Sequence, residues 1–260
     1  MSVVLTVGDR QVKEDELYSL MVEYQLLPHL AREILLDQAI DHIQLTPEEQ
    51  QQNLALFYQQ TQITNEEQRQ AWLKQSGMTL AQLETSILRT ARLEKFKHQT
   101  WNDQLEGHFL NSKDKLDQVI YSLIRSRDSG IIQELYFRIQ EGEGDFSALA
   151  RQYSEGPEAQ NGGLIGPVEL NVPHPQIVQL LKSTPAGQLC LPIAVGEWWI
   201  LLRLEKYISS QLDDNIRQRL RNDLFQTWLN QQIQTKIKFT TPSPTPETIQ
   251  PEVGLVKTQD

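Results

Sequence analysis

Residues 153–168 read YSEGPEAQNGGLIGPV. An acidic, polar run gives way to Gly162, Gly163 and Gly166, and Pro157 and Pro167 bracket the three glycines. Upstream, the run DFSALARQY at 145–153 has the apolar spacing of a helix. Downstream the segment leads into a strand. Glycine is favoured where the backbone turns sharply or where another chain packs close. The stretch therefore predicts a crowded passage from helix to strand, although a plain glycine turn remains the simpler alternative. A phosphate-binding loop fits poorly, because no Gly-Lys-Ser/Thr follows and the segment is acidic.

Working outward, QVIYSLIR at 118–125 reads as a strand. Residues 130–140 read as a helix with Ile132, Leu135, Tyr136 and Ile139 on one face. A short helix is expected over 174–181, and strands over 189–195 and 198–207. Strand, helix, helix, glycine-rich segment, helix, strand, strand is an α+β order with a mostly antiparallel sheet, in a domain of roughly 90 residues.

The rest of the chain has a different grammar. Residues 3–7 (VVLTV) predict a short strand and Gly8-Asp9 a turn. From 14 to 108 the spacing is helical almost throughout. Thr46-Pro47-Glu48-Glu49 has the form of a capping box with proline at the first helical position, Thr64-Asn65-Glu66-Glu67 repeats the signal, and Gly77 fits a helix stop. Residues 212–237 predict one more amphipathic helix, carrying Ile216, Leu220, Leu224, Trp228 and Ile233. The tail is rich in proline and threonine, which predicts disorder.

Composition narrows the function. Lys and Arg number 24 against 34 Asp and Glu, a formal charge of -10, so no basic stripe is available for phosphate contacts and nucleic acid is not an expected partner. No window approaches the roughly 18 apolar residues of a membrane span, so no membrane insertion is expected. The N-terminus lacks the long apolar segment of a signal peptide, and the expectation is a cytoplasmic protein. Cys190 is the single cysteine, read as a small buried residue rather than a nucleophile. His29, His42, His98 and His108 are scattered along helices without metal-ligand spacing, and no metal site is predicted.

Three segments, in order, resemble the parvulin-type peptidyl-prolyl cis-trans isomerases: DFSALARQYSEGPEAQNGGLIGPV, LLKSTPAGQLCLPI and WWILLRLEKY. Together they fall within about 118–207. VGDRQVKEDEL near the start and GMTLAQLETSILRTARLEKF at 77–96 resemble the helical N-terminal half of SurA-like and PrsA-like folding factors, which usually act outside the cytoplasm. The resemblance implies a helical N-terminal domain over 1–115, a parvulin-type domain over 116–207, a helix over 208–238 that packs back on the first domain, and a disordered tail over 239–260. The implied fold is a parvulin-like antiparallel sheet with surrounding helices, plus an all-α N-terminal module completed by the C-terminal helix.

The implied activity is rotation of X–Pro bonds in unfolded or partly folded, proline-containing polypeptide clients. That chemistry needs no cofactor. The alternative is a chaperone on the same fold that binds extended peptides without isomerising them. Carried over by position, the first-strand histidine of parvulins falls on Ser122, the loop Cys or Asp on Gly156 with Glu155 beside it, and the closing-strand histidine on Trp199 or Ile200. Ser122, Glu155 and Trp199 are thus the candidate catalytic set. Ser122 also reads as an ordinary strand residue and Glu155 as a solvated loop carboxylate. Ile165, Val168, Pro173, His174 and Ile177 fall on the apolar substrate-binding positions and their border, with His174 equally readable as a helix-start surface residue. Trp198 and Trp199, adjacent in a strand, are expected on opposite faces.

Overall fold

The computed structural model describes residues 2–239. The tail expected to be disordered lies, from residue 240, outside the described residues. The chain divides into two compact units, one of residues up to Leu93 and from Gln226 onward, the other Glu94–Phe225.

The first unit opens with β1 (Val3–Val7) and β2 (Arg10–Lys13), an antiparallel pair joined through Gly8 at φ +59. Helices α1 (Leu17–Glu23), α2 (Leu27–Ile40), α3 (Pro47–Gln60) and α4 (Glu66–Ser76) follow. The capping signals are used as chemistry dictates. The Thr46 hydroxyl accepts from the Glu49 N–H at 3.2 Å, and the Glu49 carboxylate accepts from the Thr46 N–H at 2.8 Å. Asn65 rather than Thr64 caps α4, and Gly77 stops it at φ 66. Arg89, on α5 (Leu80–Trp101), bonds Glu33 and Asp37 of α2.

In the second unit α6 (Leu105–Leu116) leads into the sheet. Strands β3 (Gln118–Ser126), β4 (Leu164–Glu169), β5 (Ile193–Val195) and β6 (Trp198–Ile208) form an antiparallel sheet in the order β4-β3-β6-β5. Between them run α7 (Ser129–Gln140), α8 (Phe146–Tyr153) and α9 (Pro175–Ser183). Strand alternation splits the side chains cleanly. Val119, Tyr121, Leu123, Ile200, Leu202 and Leu204 face α9. Ile124 and Leu201 face α7 and α8, where Ile132, Leu135, Phe146 and Leu149 complete a second core. Helix α10 (Asp214–Lys236) packs Ile216, Leu220 and Leu224 on Leu105 and Phe109 of α6.

The strand expected at 189–195 shortens to β5, with only an isolated bridge between Leu189 and Arg203 before it. The connections into and out of the sheet meet at the buried Asp117. Its carboxylate accepts from Lys113 Nζ at 2.8 Å, Tyr207 OH at 2.7 Å and the Ser210 N–H at 2.8 Å.

The opening stretch is accounted for by β4. Gly163 sits at φ +81, and a Cβ there would lie 2.7 Å from the Leu123 carbonyl oxygen. Its own carbonyl accepts from the Leu123 N–H at 2.8 Å. Gly166, at φ +117, would place a Cβ 2.5 Å from the Val119 carbonyl oxygen. The glycines let β4 close onto β3 where any side chain would separate them.

Candidate active site

Ile165 and Val168 stand on β4 opposite Tyr121 and Val119 of β3. With Ile177 of α9 they pack on the cluster around Tyr121, Leu170 and Leu181. Val172 just before is exposed and Pro173 is half-buried. His174 is exposed and caps α9, its Nδ1 accepting from the Gln176 N–H at 3.3 Å. All five positions expected to bind substrate thus come from β4 and from α9 with its lead-in.

The polar candidates lie on the other face. Ser122 is buried between Tyr121 and Leu123 in sequence but points away from both, and its Oγ donates to Glu205 Oε1 at 2.5 Å. Arg203 Nε donates to the same oxygen at 2.8 Å, and the Arg203 guanidinium lies 4.9 Å from the centre of the Phe146 ring. Ser122 pairs with Arg203 in the β3–β6 register, whereas Trp199 pairs with Ser126. Four residues along β3 separate the two pairs, about 13 Å at the usual strand rise. Trp199 packs on the α7–α8 core and Trp198 on the α9 side, so the two tryptophans do face opposite ways.

Glu155 joins Trp199 at the same end of the sheet. It accepts from Ser126 Oγ at 2.5 Å and from the Arg127 N–H at 3.0 Å, and these bonds lower its pKa. One turn further, Glu158 is buried. Burial works to raise its pKa, but hydrogen bonds from Arg125 and Ser154 prevail and hold it below the ordinary carboxylate value. Gly156 lies between them. A Cβ there would collide with Arg125 Nε and the Glu158 carboxylate. The position onto which the resemblance carried the loop Cys or Asp of parvulins is thus filled from the side by an ion pair.

Sequence reasoning missed Arg125, Ser126, Ser154, Glu158, Arg203 and Glu205. Arg125 and Glu158 are 33 residues apart, and a lone acid in a polar loop reads as solvated. The one available signal was an arginine following the apolar Leu123-Ile124 near the end of a strand. Cys190 is buried, with Thr184 Oγ1 3.3 Å from its sulfur, in the α9-side core.

Residues 120–206 match the family model Rotamase, the PPIC-type PPIASE domain. This stretch is a parvulin-type domain, as the four-stranded antiparallel sheet with its flanking helices also indicates. Among curated relatives, a chaperone SurA of Pseudomonas savastanoi pv. phaseolicola is 35% identical over 111 residues, which is 39% of this chain and 26% of that protein. A chaperone SurA of Shewanella is 29% identical over 119 residues, 42% of this chain and 27% of that protein. The chain thus matches about a quarter of the length of these relatives. Among solved structures, the peptidylprolyl isomerase PrsA of Bacillus cereus superposes with a TM-score of 0.49 at 19% identity, covering 93% of this chain and 95% of that one.

The expectation of a cytoplasmic location is corrected by these comparisons. The curated SurA relatives are periplasmic or extracytoplasmic chaperones. Location does not follow from where this sequence begins. No described helix is long and apolar enough to cross a membrane.

Proposed function

We propose that the protein is a folding factor that catalyses cis–trans isomerisation of X–Pro bonds in unfolded or partly folded polypeptides. The observation that carries this reading is the match of residues 120–206 to the PPIC-type PPIASE domain. The physical demand is modest. The X–Pro amide resists rotation because its C–N bond has partial double-bond character, which is lost at the twisted state. A wall that seats the pyrrolidine ring and keeps water from the carbonyl favours that state. In this reading Ile165, Val168, Pro173, His174 and Ile177 make the proline-side wall. Ser122, Glu155 and Trp199 stand at or beside the polar positions of parvulins, Ser122 held by Glu205 and Glu155 by Ser126. The scheme of a helical module over 1–115, completed by 208–238 and interrupted by a parvulin-type domain over 116–207, goes with the proposal.

A second reading, binding of extended chains without isomerisation, is favoured by one observation. The Ser122 hydroxyl proton is committed to Glu205, and Gly156 offers no side chain at all. A protease-coupled assay on short X–Pro peptides separates the two. The isomerase reading expects faster cis-to-trans conversion by the full chain, reduced in Ile165→Ala. No acceleration, with suppressed aggregation of an unfolded client, supports the binding reading instead.

A further inference from the structure

Of the residues carried onto the polar positions, Ser122 points away from Tyr121 and Leu123, and Trp199 packs on the α7–α8 core. Neither stands on the face of the proline-side wall. Tyr121 does. It pairs with Ile165 across β3 and β4 and shares the α9-side core with Ile177, and Ile165 and Val168 pack against the same cluster. The residue is only 5% exposed. A phenol so buried ordinarily has a hydrogen-bond partner. The Tyr121 hydroxyl has none among the described residues. Its oxygen is not sealed in either, since the fully enclosed side-chain atoms that lack a partner there are Arg69 Nε and Arg221 Nε. It therefore reaches solvent on the face where the wall stands. The charges of Arg125 and Glu158 both act on the phenol, which sets its hydroxyl toward the ion pair beside Gly156.

We propose that Tyr121 is a catalytic residue of the X–Pro site, its hydroxyl donating a hydrogen bond to the proline nitrogen in the twisted state. The proposal rests on the isomerase reading above. In the planar amide the nitrogen lone pair is delocalised into the carbonyl and accepts poorly. As the C–N bond turns, the pair localises on nitrogen and becomes an acceptor. A donor placed there is engaged only as the barrier is crossed, so it lowers the barrier without tightening the ground state. Ile165, the cross-strand partner of Tyr121, belongs to the wall that would seat the pyrrolidine ring, so the phenol stands beside the bond that turns. Burial, the largest cause, holds the phenol pKa above its ordinary 10 against the opposing pull of Arg125, so the proton is in place at neutral pH. The Ser122 proton is committed to Glu205, and an ionised Glu155 only accepts. No existing bond has to break for Tyr121 to donate.

The test measures kcat and KM separately, by exchange spectroscopy on a short X–Pro peptide over a range of concentrations with the full chain. Tyr121→Phe keeps the ring and removes only the oxygen. It is expected to lower kcat by about tenfold, the worth of one hydrogen bond, with KM unchanged. Ile165→Ala, which thins the wall, is expected to raise KM. The second readout is the pH profile. 3,5-Difluorotyrosine placed at position 121 keeps the ring and the hydroxyl but ionises at lower pH. It should move the alkaline fall in kcat to lower pH, while the unaltered chain holds its rate through about pH 9. This variant decides the matter should Tyr121→Phe fail to fold. A tyrosine that only packs leaves kcat as it was in Tyr121→Phe, and that result overturns the proposal. So does an alkaline limb that the fluorinated residue leaves in place. In both cases the unaltered chain still isomerises and the isomerase reading stands. No acceleration by the unaltered chain overturns that reading and the assignment of Tyr121 together.

Discussion

The Arg125 guanidinium holds the Glu158 carboxylate through two hydrogen bonds, Nε to Oε1 at 2.8 Å and Nη2 to Oε2 at 2.5 Å, in the space that a side chain at Gly156 would need. The pair joins the end of the central strand β3 to the loop that precedes the glycines, and Ser154 Oγ adds a third bond to Glu158 at 2.7 Å. Glycine at 156 follows from this pair, since φ there is -102 and asks for no special residue.

Gly156→Cys should therefore destabilise the protein, although the resemblance aligns this position with the loop Cys or Asp of parvulins. Disrupting a buried ion pair costs about 3–5 kcal/mol, and the partial exposure of Arg125 brings the expectation to about 2 kcal/mol. Urea denaturation of the cysteine variant measures it. Unchanged stability would mean that the pair gives way freely.

Acid stability should carry the mark of Glu158. Its folded pKa lies below the ordinary 4.5, so the folded state holds its proton less tightly than the unfolded one. The stabilisation is complete above pH 4.5 and is lost as pH falls through the folded value. Glu158→Gln should lower stability at pH 7 and flatten the acid limb, seen by unfolding midpoints between pH 3 and 7. Parallel acid limbs in the two proteins would contradict the assignment.

Gly163→Ala tests the close approach of β4 to β3. The added methyl meets the Leu123 carbonyl at a φ that non-glycine residues avoid. A loss of about 2 kcal/mol or more is expected, because strain and a disturbed strand pairing add. Hydrogen exchange at the Leu123 amide should quicken in step.

Tyr207 should titrate late. Burial first, then its hydrogen bond to Asp117, pushes its pKa up to about 12. Its contribution to stability is full below pH 10 and is lost as pH rises toward 12. Difference absorbance of Tyr207→Phe against the unaltered chain isolates this group, and a midpoint near 10 would contradict the contact with Asp117.

Much of the fold was legible because local rules agreed with tertiary ones. Thr46 and Gly77 end helices by chemistry that their neighbours in sequence complete. Alternation in QVIYSLIR and WWILLRLEKY gave the two central strands and the opposite facings of Trp198 and Trp199. The glycine cluster signalled crowding, though β3 as the crowding partner was supplied only by folding. The polar side of the site was not legible, since Ser122–Glu205, Ser126–Glu155 and Arg125–Glu158 each join residues 29 to 83 apart. The location failed for a different reason, being inferred from the start of the sequence rather than from any residue of the folded chain.

The central claim is that the apolar wall of β4 and α9 lowers the barrier to X–Pro rotation. Exchange spectroscopy on a short X–Pro peptide, with the full chain at catalytic concentration, tests it most directly. Cross-peaks between cis and trans forms that grow with the protein, and weaken in Ile165→Ala while the variant stays folded, are the predicted result. Exchange no faster than in peptide alone, in a chain that still binds the peptide, would contradict it.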